Sequence, residues 1–155
     1  MIEYISLHNL SSFSLMRALT KPADLIARAK ELGQKAVAIV DHTTMSGFWD
    51  AHKAAKKAGI KLIPGCEFNF VHDLDNTETP LTSIVLLAKN AAGYKNLLTL
   101  GKKGFDNFIV QFKKATPRID WGLLEEHKEG IICLSGCGNS LVAQSIMTKD
   151  LEAAK

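Results

Sequence analysis

No stretch of this 155-residue sequence strings together the ~18 apolar residues that a membrane-spanning helix requires. Its beginning, MIEYISLHNLSSF, has no basic region ahead of an apolar one, so no secretory signal is expected. Cysteine is scarce: Cys66, Cys133 and Cys137 are odd in number and form no CxxC pair, which argues for reduced thiols and a cytoplasmic setting rather than a disulfide framework. GxxxxGK[ST], GxGxxG and GxSxG are all missing, so phosphate-loop, dinucleotide and serine-hydrolase chemistries lose their usual signatures. There is no internal repeat and no low-complexity tract. The charge imbalance is only +3, which permits an anionic partner without demanding one.

What is present is a globular composition: 46% hydrophobic and 23% charged residues, enough to bury a core in a single domain over 1–155. Apolar β-branched runs alternate with stretches of helical period. Strands are expected over 2–7, 35–40, 60–70, 81–88 and 130–134. Helices are expected over 21–32 (capped by Thr20), from Ser46 to Ala58, over 91–102 (capped by Asn90), 120–126 and 139–147. Residues 71–80 and 104–119 read as loops. Strands alternating with helices of about ten residues predict an α/β fold with a mainly parallel sheet. A closed (β/α)8 barrel takes ~250 residues, so the chain can form an open sheet or part of a barrel.

In such folds functional groups collect at the C-terminal ends of strands. Those ends carry His8, then Asp41 and His42, then Glu67, then Cys137. Two imidazoles, carboxylates and a thiol make up the inventory of a divalent-metal site able to activate water against a phosphate ester. Plainer roles exist for each. A strand-end histidine such as His8 commonly serves a hydrogen bond, and Asp41-His42 can open a turn and cap a helix. Cys137 can be a small buried hydrophobe. Glu67 is the most informative, because a carboxylate inside an apolar strand requires a partner, whether a metal or a structural ion pair. Lys113, Lys114 and Arg118 can contact phosphates, but without interleaved aromatics they make a weak nucleic-acid signature.

The stretches LHNLSSFSL, LIARAKELGQKAVAIVDHTTMSGFWDAHKAAKKAGIKLIPGCEFN, IVLLAKNAAGYKNLLTL and EGIICLSGC, in this order, carry a resemblance over nearly the whole chain. The sequence resembles the N-terminal part of the PHP (polymerase and histidinol phosphatase) domain of bacterial replicative DNA polymerase III alpha subunits. The resemblance implies a partial, distorted (β/α)7 barrel with metal ligands at strand C-termini. It places His8 at the first position of a His-x-His motif, His42 in Thr-Asp-His, Glu67 as a bridging carboxylate, and Cys137 at a ligand position after Leu-Ser-Gly. Four positions depart from that pattern. Leu10 stands where the second histidine belongs, Arg17 and Ala18 replace an aspartate and a glycine, and Ser83 replaces a histidine.

A leucine and an arginine among the ligands remove donors, and the arginine repels cations. The expectation is therefore a truncated, metal-degenerate PHP domain holding no metal or one weakly bound zinc or manganese ion. It would act in DNA replication as a scaffold for a proofreading exonuclease subunit or a polymerase, with a homodimer as another assembly. It would be either a fragment of a long polymerase chain or a short, for example phage-encoded, mimic. The alternative is a metal-dependent phosphoesterase or 3′–5′ exonuclease whose ligands a partner chain completes.

Overall fold

A computed structural model describes residues 4–111, 114–148 and 152. The elements run α1 (Pro22–Glu31), β1 (Ala36–His42), α2 (Phe48–Ala58), β2 (Lys61–Phe70), β3 (Thr82–Ala88), α3 (Ala91–Asp106), β4 (Ile109–Gln111), β5 (Lys114–Thr116), α4 (Trp121–Glu126), β6 (Ile131–Leu134) and α5 (Leu141–Met147). The main sheet has the order β1-β2-β3-β6, and β4 and β5 form a separate hairpin inside the stretch expected to be a loop.

The mainly parallel expectation does not hold. β1 and β2 are parallel, whereas β2–β3 and β3–β6 are antiparallel. The connections explain the difference. α2 supplies the crossover that a parallel pair needs, but the 71–81 segment contains no helix and turns the chain straight back. Between β3 and β6, α3 and α4 together return the chain to the end where β3 finishes. There the Lys89 amide donates to the Gly130 carbonyl at 2.8 Å.

The first expected strand also fails to form in its described part. The 6–9 segment lies along β1, with the Ala38 and Val40 amides donating to the Ser6 and Asn9 carbonyls. Asn9 Nδ2, however, donates to the Ala38 carbonyl at 2.9 Å. A side-chain amide thus takes the place of a ladder bond, and regular pairing stops.

Helix ends follow local chemistry. Asn90, Asp120 and Ser140 accept from the amides of Gly93, Leu123 and Ala143, capping α3, α4 and α5. Thr20 and Ser46 do not cap: the N-cap positions of α1 and α2 are Lys21 and Gly47, with no side-chain bond. Gly59 ends α2 in the left-handed region, at φ 71°.

Two apolar layers cover the outside of the sheet. Cys66, Phe68, Phe70, Ile84 and Leu86 pack against Leu97 and Leu100 of α3, and Val37 packs with Ile26, Ala29 and Ala55 of α1 and α2. The inner face carries Ala38, Val40, Val85 and Leu87, with Ile63 and Leu134 beside them. By strand alternation this row continues toward the C-terminal ends of β1 and β2 as His42, Glu67 and Asn69, with Ser83 opposite Asn69. The inner face thus turns from apolar to polar along its length.

Candidate functional site

At the polar end the β1–β2 register sets His42 beside Glu67. Glu67 is 3% exposed, so its carboxylate depends on neighbours rather than water. His8 Nε2 lies 3.0 Å from Oε2, and Arg17 Nη1 lies 3.1 Å from Oε1. Burial pushes the Glu67 pKa up. The His8 hydrogen bond and the charges of His42, Arg17 and His8 outweigh burial and hold it below the ordinary value. An ionised carboxylate only accepts, so His8 Nε2 carries a proton and donates.

His42 is fixed in the same way. Asn69 Nδ2 donates to the Pro117 carbonyl at 2.9 Å, which orients the amide. Its Oδ1, 3.0 Å from His42 Nε2, therefore accepts from that nitrogen. Burial lowers the His42 pKa and the Arg17 charge lowers it further, against the opposing influence of Glu67 and Asn69. Burial and Arg17 thus disfavour the charged ring, and the proton shared with Asn69 lies on Nε2.

Asp41 does not cap the next helix as expected, and holds another segment instead. It is buried, and accepts from the Ser11 amide at 2.7 Å, the Ser11 hydroxyl at 2.8 Å and the Ser14 hydroxyl at 2.6 Å. It pins the 11–17 segment across the strand ends rather than capping α2. Gly47 is required here, because a Cβ would run into the Asp41 carboxylate and the Ser11 hydroxyl. Two non-glycine residues adopt left-handed backbone beside the site: Met16 (φ 62°), just before Arg17, and Thr43 (φ 58°), just after His42. Such conformations cost of order 1–3 kcal/mol and persist where surrounding structure imposes them.

These groups do not fit a divalent ion as arranged. Both Glu67 oxygens are occupied, one by a guanidinium, and both histidines use Nε2 as a donor, leaving only Nδ1 lone pairs. Cys137 lies exposed in the turn after β6. Among the described residues no group of three or more His, Cys, Asp or Glu side chains is placed to hold a metal. Ser83 Oγ is buried with no hydrogen-bond partner among the described residues.

The basic candidates separate. Lys113 lies outside the described residues. Lys114 is exposed. Arg118, expected to reach phosphates, is instead 4% exposed, and its guanidinium donates to the carbonyls of Leu74, Asn76 and Asn107. It is occupied in holding the 71–81 loop, whose backbone acceptors would otherwise lack donors. Beside His42 opens a cleft of about 540 Å³, walled by Phe13, Leu15, Phe105, Lys114 and Pro117.

Two features escaped the sequence reading. Asn69 is signalled by lying two residues beyond Glu67 and so on the same strand face. The bond from Arg17 to Glu67 spans 50 positions and has no local signal.

A family model for the PHP domain matches residues 6–155. The chain belongs to the PHP domain family. Within it, the sequence is 36% identical over 160 aligned residues to DNA polymerase III subunit alpha of Borreliella burgdorferi, covering 99% of this chain and 14% of that protein. To the subunit of the same description from Helicobacter pylori it is 38% identical over 138 residues, covering 86% of this chain and 11% of that protein. The chain thus spans a small part of the length of these relatives. An amidohydrolase from Chromobacterium violaceum, solved with bound sulfate and no metal, aligns with a TM-score of 0.46 at 23% identity, covering 66% of this chain and 34% of that one. In this PHP domain the departures noted from sequence have distinct places: Arg17 lies on Glu67, Leu10 is half-buried, and Ser83 is buried on β3.

Proposed function

We propose that this PHP domain is a non-hydrolytic module of the replicative-polymerase type, serving DNA replication through contacts with other replication proteins. A proofreading exonuclease subunit, a polymerase and a second copy of the chain are its candidate partners. One observation carries the reading: the Glu67 carboxylate is saturated by Arg17 and His8, so the charge that would attract a cation is already neutralised from within the protein. The similarity to DNA polymerase III alpha subunits supports the replication setting.

Elemental analysis after dialysis against zinc and manganese tests the metal half. At most one weakly held ion is expected, located at the free nitrogens of His8 and His42 or at Cys137. Incubation with a 3′-labelled DNA strand and a generic phosphodiester tests the chemistry, and no hydrolysis is expected. Stoichiometric retention of two or three ions would overturn the reading. So would metal-dependent turnover abolished by Glu67→Ala, which would instead support a phosphoesterase or 3′–5′ exonuclease completed by a partner chain.

A further inference from the structure

We propose that the cleft beside His42 receives a short, extended, acidic peptide segment of a partner protein, with one carboxylate held by Lys114 and apolar side chains between the flanking walls. The proposal rests on reading the chain as a protein-contact module, and it identifies the surface and the chemistry of that contact.

The cleft is large enough for a few peptide side chains at about 540 Å³. Its walls are apolar in part: Phe13 and Leu15 belong to the 11–17 segment, and Phe105 and Pro117 line it too, alongside His42 and serine and threonine hydroxyls. Leu15 is 76% exposed and Phe105 52% exposed, so both retain apolar area to bury. Among the described residues no carboxylate lines the cleft. The two acids at the strand ends are occupied, Asp41 by serine donors and Glu67 by His8 and Arg17.

Among the described residues Lys114 is the one lining residue with a full charge, and no ion pair holds it. The cleft is therefore complementary to a single anionic group set between apolar ones. A nucleic-acid strand asks for something else, a row of cations along successive phosphates. Arg118, the described residue best placed in sequence to extend such a row, has its guanidinium spent on backbone carbonyls. The serine bonds to Asp41 also hold one wall in place before binding, which limits the ordering cost that weakens peptide affinity.

A randomised heptapeptide library displayed on phage, panned against the protein in EDTA, supplies the probe, and an enriched peptide is then resynthesised with fluorescein for anisotropy. Enrichment of Asp or Glu flanked by Leu, Ile or Phe is expected. Lys114→Glu should weaken binding about tenfold or more, as loss of a charge partner does, and Phe105→Ala about fivefold, as loss of an apolar anchor does. Enrichment without acidic residues, or equal affinity for Lys114→Glu, would overturn the proposal. Displacement of the peptide by an equimolar dT12 oligonucleotide with the same Lys114 dependence would also overturn it, assigning the cleft to nucleic acid. Because binding is read in EDTA, detection of metal-dependent hydrolysis elsewhere would remove the functional reading without deciding this one.

Discussion

Arg17 sits on Glu67 because a buried carboxylate at the end of β2 must be neutralised, and a guanidinium supplies charge and hydrogen bond together. Breaking a buried ion pair typically costs ~3–5 kcal/mol. The Arg17 side chain, however, is 46% exposed, and solvent screening reduces its share. Arg17→Met should therefore destabilise the fold by about 1–2 kcal/mol in urea titration at neutral pH. The pH dependence follows from the lowered Glu67 pKa. The folded value lies below the unfolded one, so Glu67 contributes stability above about pH 4.5 and loses it as pH falls through the folded value. Between pH 6 and 3, unfolding free energy should fall more steeply for the wild type than for Glu67→Gln. Parallel curves would mean that the pairing adds nothing to stability.

At the scale of elements, α3 shows how one position can be decided by a close approach and another left free. Gly93 lies in its first turn against the Gly130 backbone, and a Cβ there would overlap the Gly130 carbonyl. Gly101 lies on the same helix with open space where its Cβ would be. Gly93→Ala should cost about 3 kcal/mol through overpacking that a backbone neighbour cannot relieve. Gly101→Ala should gain about 0.5–1 kcal/mol from helix propensity. Chemical denaturation of both variants checks the pair, and equal effects would contradict this packing. The cap at Asn90 and the runs that became β1, β2 and β3 were legible because their determinants are local. Strand direction was not, since the sequence shows where β3 lies but not that the 71–81 segment brings it back antiparallel to β2. The candidate site divides along the same line. His8, His42 and Glu67 announce themselves at strand ends, whereas the Arg17 bond to Glu67 and the Arg118 bonds to the 71–81 loop join residues far apart in the chain.

For the molecule as a whole, the two edges of the main sheet are unequal. Beside β1 the 6–9 segment accepts bonds from Ala38 and Val40, so that edge is covered. β6 pairs with β3 on one side and has no strand on the other among the described residues. Ile132 and Cys133 are exposed, because β6 is an edge rather than an interior strand. Its four residues, Ile131, Ile132, Cys133 and Leu134, include neither a charge nor a proline, the usual devices against edge pairing. α5 does not supply the missing cover in the ladder, since its N-cap residue Ser140 bridges to Ser83 of β3. A second copy can satisfy the free edge by antiparallel pairing about a two-fold axis, joining two four-stranded sheets into one. Sedimentation velocity of the 155-residue chain at micromolar concentrations should accordingly show a concentration-dependent dimer. Ile132→Lys puts a charge at the middle of that edge and should return the protein to monomer with its circular dichroism unchanged. A wild-type monomer throughout this range, or a dimer indifferent to Ile132→Lys, would place the association surface elsewhere.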